Sequence, residues 1–319
     1  MARWTAADMP GLGGRVAVVT GANAGLGLIV ARELAGHGAR TLLACRDVGK
    51  GEAAAERIRR DRPGAAVEVA RLDLADLGSV REFAADVLAR GEGLDLLVNN
   101  AGVMALPYRR TADGFEMQFG TNHLGHFALT GLLLPALLAR PGSRVVTVSS
   151  GMHRAGRIDF DDLQSERRYR KWAAYGQSKL ANLLFAFELD RRARAAGTGL
   201  KSVAAHPGYA ATNLQTAGPR MAGSRLMERA SALANVLVAQ SAEGGALPLL
   251  YAATVPGLPS GAYVGPDGPF ESRGYPRIVR TSRAARDEQV ASRLWEVSAR
   301  LTGVTYDFEA RASSEAPDK

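Results

Sequence analysis

The segment AAYGQSKLANLLF places Tyr175 and Lys179 four residues apart in a run of helical character. On an α-helix, positions i and i+4 share a face, so the phenol and the ammonium project side by side. A free phenol, with a pKa near ~10, is a poor acid or base at neutral pH. A neighbouring cation favours the phenolate and lowers that pKa, which makes a tyrosine a usable proton donor or acceptor. Leu180, Leu183, Leu184 and Phe187 recur at helical spacing behind the pair and predict a buried stripe on the opposite side. Tyr-x-x-x-Lys also arises by chance on amphipathic helices, so the pair gains meaning only from what the chain places beside it.

The elements before the pair predict a binding site for a dinucleotide. Residues 15–20, RVAVVT, form an apolar run bounded by glycines, the pattern of a buried strand. They lead into GANAGLG, with Gly21, Asn23, Gly25, Leu26 and Gly27, and then into the helical pattern LIVARELAGHG. Strand, glycine turn and helix set backbone N–H groups and a helix N-terminus against a pyrophosphate. The spacing is G-x-x-x-G-x-G rather than G-x-G-x-x-G, but the division of labour carries over. Gly21 permits the tight turn, Gly25 admits the phosphate, and Gly27 lets the helix pack close to the sheet.

A second strand, residues 40–45, ends at Arg46. An acidic side chain there would accept hydrogen bonds from the ribose of NAD, whereas a guanidinium pairs with a 2′-phosphate. Arg46 therefore favours NADP(H), and the adjacent Asp47 leaves NAD(H) open. A helix over 52–60 and a break at Pro63-Gly64 precede a strand over 67–72, which ends at Asp73-Leu74. In the helix over 79–89, Ser79 and Glu82 have the spacing of a capping box. A fourth strand, LDLLVNNAG, ends in Asn100, Ala101 and Gly102. This rhythm predicts an α/β fold: a single doubly wound Rossmann-type domain with a mostly parallel seven-stranded sheet and ligands at the strand C-termini. GLKSVAAHPG and GAYVGP read as the sixth and seventh strands, SAEGGALPLLYAAT and residues 287–301 as helices. The domain is expected over residues 14–305, after an N-terminal extension (1–13) and before a flexible tail (306–319).

Composition narrows the class. The 319 residues carry a net charge of +8, yet the arginines (Arg57, Arg59, Arg90, Arg109, Arg191 among them) are scattered rather than gathered with aromatics, which argues against nucleic acid as a partner. The single cysteine, Cys45, excludes an internal disulfide and a cysteine-based metal cage, and no metal site is expected. The opening MARWTAADMP lacks the apolar core of a signal peptide, and the longest apolar run, residues 127–139, is too short to span a bilayer. A soluble, cytoplasmic protein without a membrane span is the expectation.

TGANAGLG at 20–27, NNAG at 99–102, Ser149-Ser150 after a strand, YGQSK at 175–179 and HPG at 206–208 together resemble the short-chain dehydrogenase/reductase family. ACRD, TNHLGHF and IDFDDLQSERRY narrow the resemblance to the retinol dehydrogenase and WW-domain oxidoreductase branch, which shares the long gap between Ser150 and Tyr175. The resemblance implies a catalytic set of Tyr175 as general acid or base, Lys179 on the nicotinamide ribose, Ser150 on the substrate oxygen, and Asn122 steadying a helix kink and a water. Asn122 also reads as a helix-start asparagine capping backbone N–H groups. It further implies that Pro207, Gly208 and Thr212 bracket the nicotinamide. His123 and His126 match no catalytic position and read as structural. An apolar stretch from Met221 to Leu237 suits either a lid over a lipophilic substrate or plain packing, and the Ser150–Tyr175 insertion, with Met152, His153 and Trp172, forms the pocket rim.

The reading is an NADP-preferring oxidoreductase that moves a hydride between nicotinamide and a small-molecule carbonyl or alcohol. Relatives often pair through the helices carrying Asn122 and Tyr175, so the resemblance leaves a homo-oligomer open, and the sequence does not set the oligomeric state. The rival reading is a non-catalytic dinucleotide sensor on the same fold; such a protein would be expected to have lost the tyrosine or the lysine.

Overall fold

The structure, a computed structural model, describes residues 3–209 and 240–309. Strand β1 (Val16–Thr20) pairs in parallel with β2 (Arg40–Cys45) on one side and β4 (Leu96–Asn99) on the other. β3 (Val67–Arg71), β5 (Arg144–Val148), β6 (Lys201–Ala205) and β7 (Tyr263–Pro266) extend the sheet in the order β3-β2-β1-β4-β5-β6-β7. An eighth strand, β8 (Pro276–Ile278), pairs antiparallel with β7, so the sheet has eight strands among the described residues rather than the expected seven. Three residues beginning with proline carry no apolar run by which a strand could be read.

The strands are apolar on both faces, because helices cover both. Val19, Leu43, Val98 and Val146 face α1 (Gly25–Gly36), α2 (Val48–Asp61) and α8 (Ala242–Thr254). Val18, Leu42, Leu97 and Val145 face α3 (Leu77–Ala89), α5 (Gly125–Leu132), α7 (Lys171–Ala195) and α9 (Glu288–Thr302). Two short helices, α4 (Met117–Phe119) and α6 (Leu134–Leu138), flank α5. On that second face Phe185 stacks on Trp295 at 5.8 Å and Tyr306 closes against Trp295 at 4.4 Å.

Local chemistry shifts two predicted helix starts. Asp76, not Ser79, caps α3, accepting from the N–H groups of Gly78 at 2.9 Å and Ser79 at 3.3 Å. Aspartate is as good a cap as serine, and the Ser79 hydroxyl instead accepts from Asp73 N at 3.0 Å. α2 begins at Val48 because Asp47 caps it, accepting from Lys50 N at 3.0 Å. The expected one-sided burial of α7 is also corrected: residues 174–186 are buried all round, since the helix runs inside the second layer. Among the described residues no helix is long and apolar enough to cross a membrane, and no His/Cys/Asp/Glu group could hold a metal.

Candidate active site

Parallel strands bring all their C-terminal ends to one edge, and six of these ends carry the predicted site residues. At β1, Gly21 and Gly25 adopt φ +65 and +55, backbone open to glycine at little cost. α1 starts at Gly25 with Ala24 as a cap whose methyl offers no acceptor, so the N–H groups of its first turn, including Leu26, have no side-chain cap. A Cβ on Gly27 would lie 2.4 Å from Gly21 O and 2.6 Å from Asn100 Nδ2, so glycine is what lets α1 close on the turn. Asn23 backs onto Cys45, whose thiol burial pushes up to about 11.

Thr20, a residue the sequence reading passed over, fastens β1 to the end of β4. Its hydroxyl oxygen accepts from Asn100 N and Ala101 N, each at 2.9 Å, while Asn100 Nδ2 donates to Thr20 O at 2.8 Å. His126 Nε2 lies 2.9 Å from the same hydroxyl, and its Nδ1 lies 3.0 Å from Asn122 O. Burial holds His126 neutral, down to about 4. With Nδ1 donating to that carbonyl, Nε2 is left to accept the threonine proton. His123 is likewise buried and neutral, down to about 3, against Ser298 Oγ at 2.9 Å. Neither histidine meets a metal-ligating set among the described residues. The Thr before Gly21 was the available signal for this knot.

At β2 the side chain of Arg46 is exposed, with no ion-pair partner among the described residues. Its neighbour Asp47 is engaged by Lys50 through the cap and an ion pair at 3.0 Å, which holds the carboxyl below its usual range. Past β3, Asp73 Oδ1 accepts from Ala75 N at 3.0 Å, and Leu74 O packs where a Cβ on Gly125 would lie 2.4 Å away.

Tyr175 and Lys179 face inward from α7, 5 % and 3 % exposed, with Lys179 Nζ 5.7 Å from the centre of the phenol ring. Burial pushes Tyr175 up to about 12, and it is the Ser150 hydroxyl that pulls the other way. Burial also brings Lys179 down to about 8. Among the described residues its ammonium donates only to Val148 O, at 3.3 Å, so two of its three N–H groups remain for a ligand. Of the two serines, Ser149 is taken up by Lys179 O at 2.8 Å, while Ser150 reaches the phenol.

Asn122 sits within a π-helical turn, Gly120–Leu124, not at a helix start. It caps no N–H of its own helix. Its Oδ1 accepts from Val103 N at 2.7 Å, and its Nδ2 donates to Val103 O and Ser178 Oγ, both at 2.9 Å. This holds the segment after β4 against α7: a Cβ on Gly102 would lie 3.1 Å from Asn122 Oδ1 and 3.5 Å from Lys179 Nζ. At β6, Gly208 has φ +67 and donates to His206 Nδ1 at 3.2 Å, and Gln240 Nε2 donates to Pro207 O at 2.6 Å. Thr212 and the apolar stretch from Met221 to Leu237 lie outside the described residues.

The insertion between Ser150 and Tyr175 is strapped down rather than loose. Tyr169 donates to Leu106 O at 2.7 Å and accepts from Gln118 Nε2 at 2.9 Å, and Gln177 holds Asp159 N at 3.0 Å. Trp172 stays half exposed, edge-on to the Tyr175 ring at 6.3 Å.

Comparison with known proteins matches residues 15–222 to the family model described as short chain dehydrogenase. The chain is 45% identical to human retinol dehydrogenase 12 over 298 residues, 93% of this chain and 89% of that protein. It is 46% identical to human retinol dehydrogenase 13 over 307 residues, 95% and 88% of the two chains. Among solved structures, an uncharacterized protein from Mycobacterium paratuberculosis is 47% identical with a TM-score of 0.79, over 96% of this chain and all (100%) of that one. A protein assigned as an NAD(P)-dependent gluconate 5-dehydrogenase from Beutenbergia cavernae, with NADP bound at low occupancy, is 28% identical with a TM-score of 0.58 over 76% and 90%.

Proposed function

Because the chain belongs to the short-chain dehydrogenase/reductase family, and is thereby an oxidoreductase acting on CH–OH or C=O groups with a nicotinamide cofactor, we propose that it is an NADP-preferring reductase/dehydrogenase of lipophilic carbonyls and alcohols with Tyr175 as its general acid/base. The observation that carries this reading is the buried Tyr175–Lys179 pair beside a half-buried Ser150 at the strand edge, with two ammonium N–H groups unspent. The uncapped N-terminus of α1, the close approach at Gly27 and those N–H groups fit a dinucleotide. The bound cofactor supplies or accepts the hydride.

The chain's own residues supply the rest. A phenol at about 12 is protonated at neutral pH, the state that gives a proton to the oxygen of a reduced carbonyl. The Ser150 hydroxyl donates to that same oxygen as charge develops there, a contact worth about 3 kcal/mol in comparable sites. Lys179 binds the ribose hydroxyls and, as a cation, favours phenolate when the alcohol is oxidised. Arg46 pairs with a 2′-phosphate, while Asp47, spent on its cap, competes little for NAD. The named relatives are retinol dehydrogenases, and a retinoid is the first lipophilic substrate to test. With retinaldehyde and NADPH, Tyr175→Phe is expected to lose at least ~1000-fold in kcat while the Kd for NADPH stays within about twofold. Near-normal turnover in that variant would end the mechanism.

A further inference from the structure

The β7–β8 hairpin carries a carboxylate that no part of the proposed proton transfer uses. Glu271 stands between the two segments that flank the site. Its Oε1 lies 3.2 Å from Arg154 Nη2, four residues beyond Ser150, and its Oε2 lies 3.1 Å from His206 Nε2, at the entry to the Pro207–Gly208 turn. His206 Nδ1 accepts from Gly208 N, so Nε2 carries the proton and faces the carboxylate; the contact is electrostatic rather than a linear hydrogen bond. His206 is 2 % and Glu271 19 % exposed at the side chain, so the pair is shielded from solvent. The hairpin touches the turn directly as well, Tyr209 N donating to Ser272 O at 2.7 Å.

The backbone is bent to hold Glu271 there. Phe270 and Glu271 have φ 52 and 54, two consecutive side-chain-bearing residues in the left-handed region, and the Phe270 side chain is left fully exposed. Such strain persists only where the surroundings over-determine it. A second connection runs through the interior. Tyr263 on β7 lies between the rings of His206 (5.1 Å) and His153 (5.6 Å), and His153 Nδ1 meets Ser150 O at 2.7 Å.

We propose that Glu271 is a positioning residue that holds the Ser150 segment and the Pro207–Gly208 turn in one register, so that the hydroxyl beside Tyr175 and the turn beside the nicotinamide keep a fixed separation. This rests on the reading of Ser150 and Gly208 given above. Arg154 is the arm toward Ser150, and His206 is the arm toward the turn. Neutralising Glu271 loosens both arms at once, whereas removing Arg154 loosens only the first.

The test uses the full chain, NADPH, and both retinaldehyde and 9,10-phenanthrenequinone as carbonyl probes. Glu271→Gln is expected to lower kcat about tenfold with the carbonyl KM within about twofold, and to raise the Kd for NADPH at least threefold by nicotinamide fluorescence. In a Ser150→Ala background the same substitution should cost less than about twofold in kcat, because the effect passes through Ser150. Arg154→Gln, the partner farther from the turn, should lower kcat while leaving the Kd for NADPH unchanged, and it serves if Glu271→Gln does not fold. Equal losses with and without Ser150, or an unchanged Kd for NADPH in Glu271→Gln, overturn the clamp. A wild-type protein that reduces neither probe sinks the functional reading instead, and the cofactor measurements still decide the clamp.

Discussion

Tyr175 and Lys179 lie one turn apart and are both buried, and burial moves them in opposite senses, the phenol up to about 12 and the ammonium down to about 8. Each loses the solvent that favoured its charged form, so burial favours the neutral phenol–amine pair over phenolate–ammonium. The pair was legible because four-residue spacing on a helix is a local fact. The direction of the phenol's shift was not, because it depends on how much protein surrounds α7. Arg46 belongs to this scale too. If its guanidinium takes a 2′-phosphate, Arg46→Leu is expected to raise the Kd for NADPH by ~10–100-fold, the range of a charge-assisted pair, and that for NADH by less than about twofold. Titration of cofactor fluorescence with both nucleotides checks this; equal weakening would remove Arg46 from the phosphate site.

At the scale of the element, the glycine turn is governed by clearance. A Cβ on Gly27 meets Gly21 O at 2.4 Å, a backbone atom that no rotamer change can move aside. Gly27→Ala must therefore tilt α1 away from β1, with a stability loss of ~1–3 kcal/mol and at least tenfold weaker NADPH binding. Chemical denaturation and cofactor titration on the same sample measure both; a variant with wild-type affinity would show that α1 does not set the cofactor site. The role of Gly27 could be read from its place after the turn. The partners of Asn122 in its π-helical turn could not, because they, Val103 and Ser178, lie on two other segments rather than on its own helix. The shift of the α3 cap from Ser79 to Asp76 is a milder case, two good capping residues competing within one turn.

Across the whole molecule, three buried histidines resist protonation. His123, His126 and His153 are pushed down to about 3, about 4 and about 4 by burial, from an unfolded value near ~6.5. Between about pH 6.5 and about pH 4 the unfolded chain binds more protons than the folded one at each of these sites. Their contribution is thus fully present above pH 6.5 and is lost on acidification, by at most about 1.4 kcal/mol per pH unit for each. The melting temperature is expected to hold between pH 8 and 7 and to fall already between pH 6.5 and 5, above the range where carboxylates titrate. His126→Gln should flatten that fall. A melting temperature that stays level down to pH 5 would refute it.

Much of this protein is encoded by adjacency along the chain. The strand–turn–helix rhythm, the glycine turn, the Tyr–Lys pair and the placement of Arg46, Asp73 and Asn100 at strand ends all rest on neighbours within a few residues. The short-chain dehydrogenase family followed from their order along the chain. The remainder comes from packing, which brings distant segments together. The knot of Thr20 with Asn100, Ala101 and His126, the strapping of the insertion by Gln118 and Tyr169, and the Glu271 bridge from Arg154 to His206 join segments far apart in sequence. No periodicity marks such partners, because a buried polar group is chosen by whichever donor or acceptor the fold delivers to it.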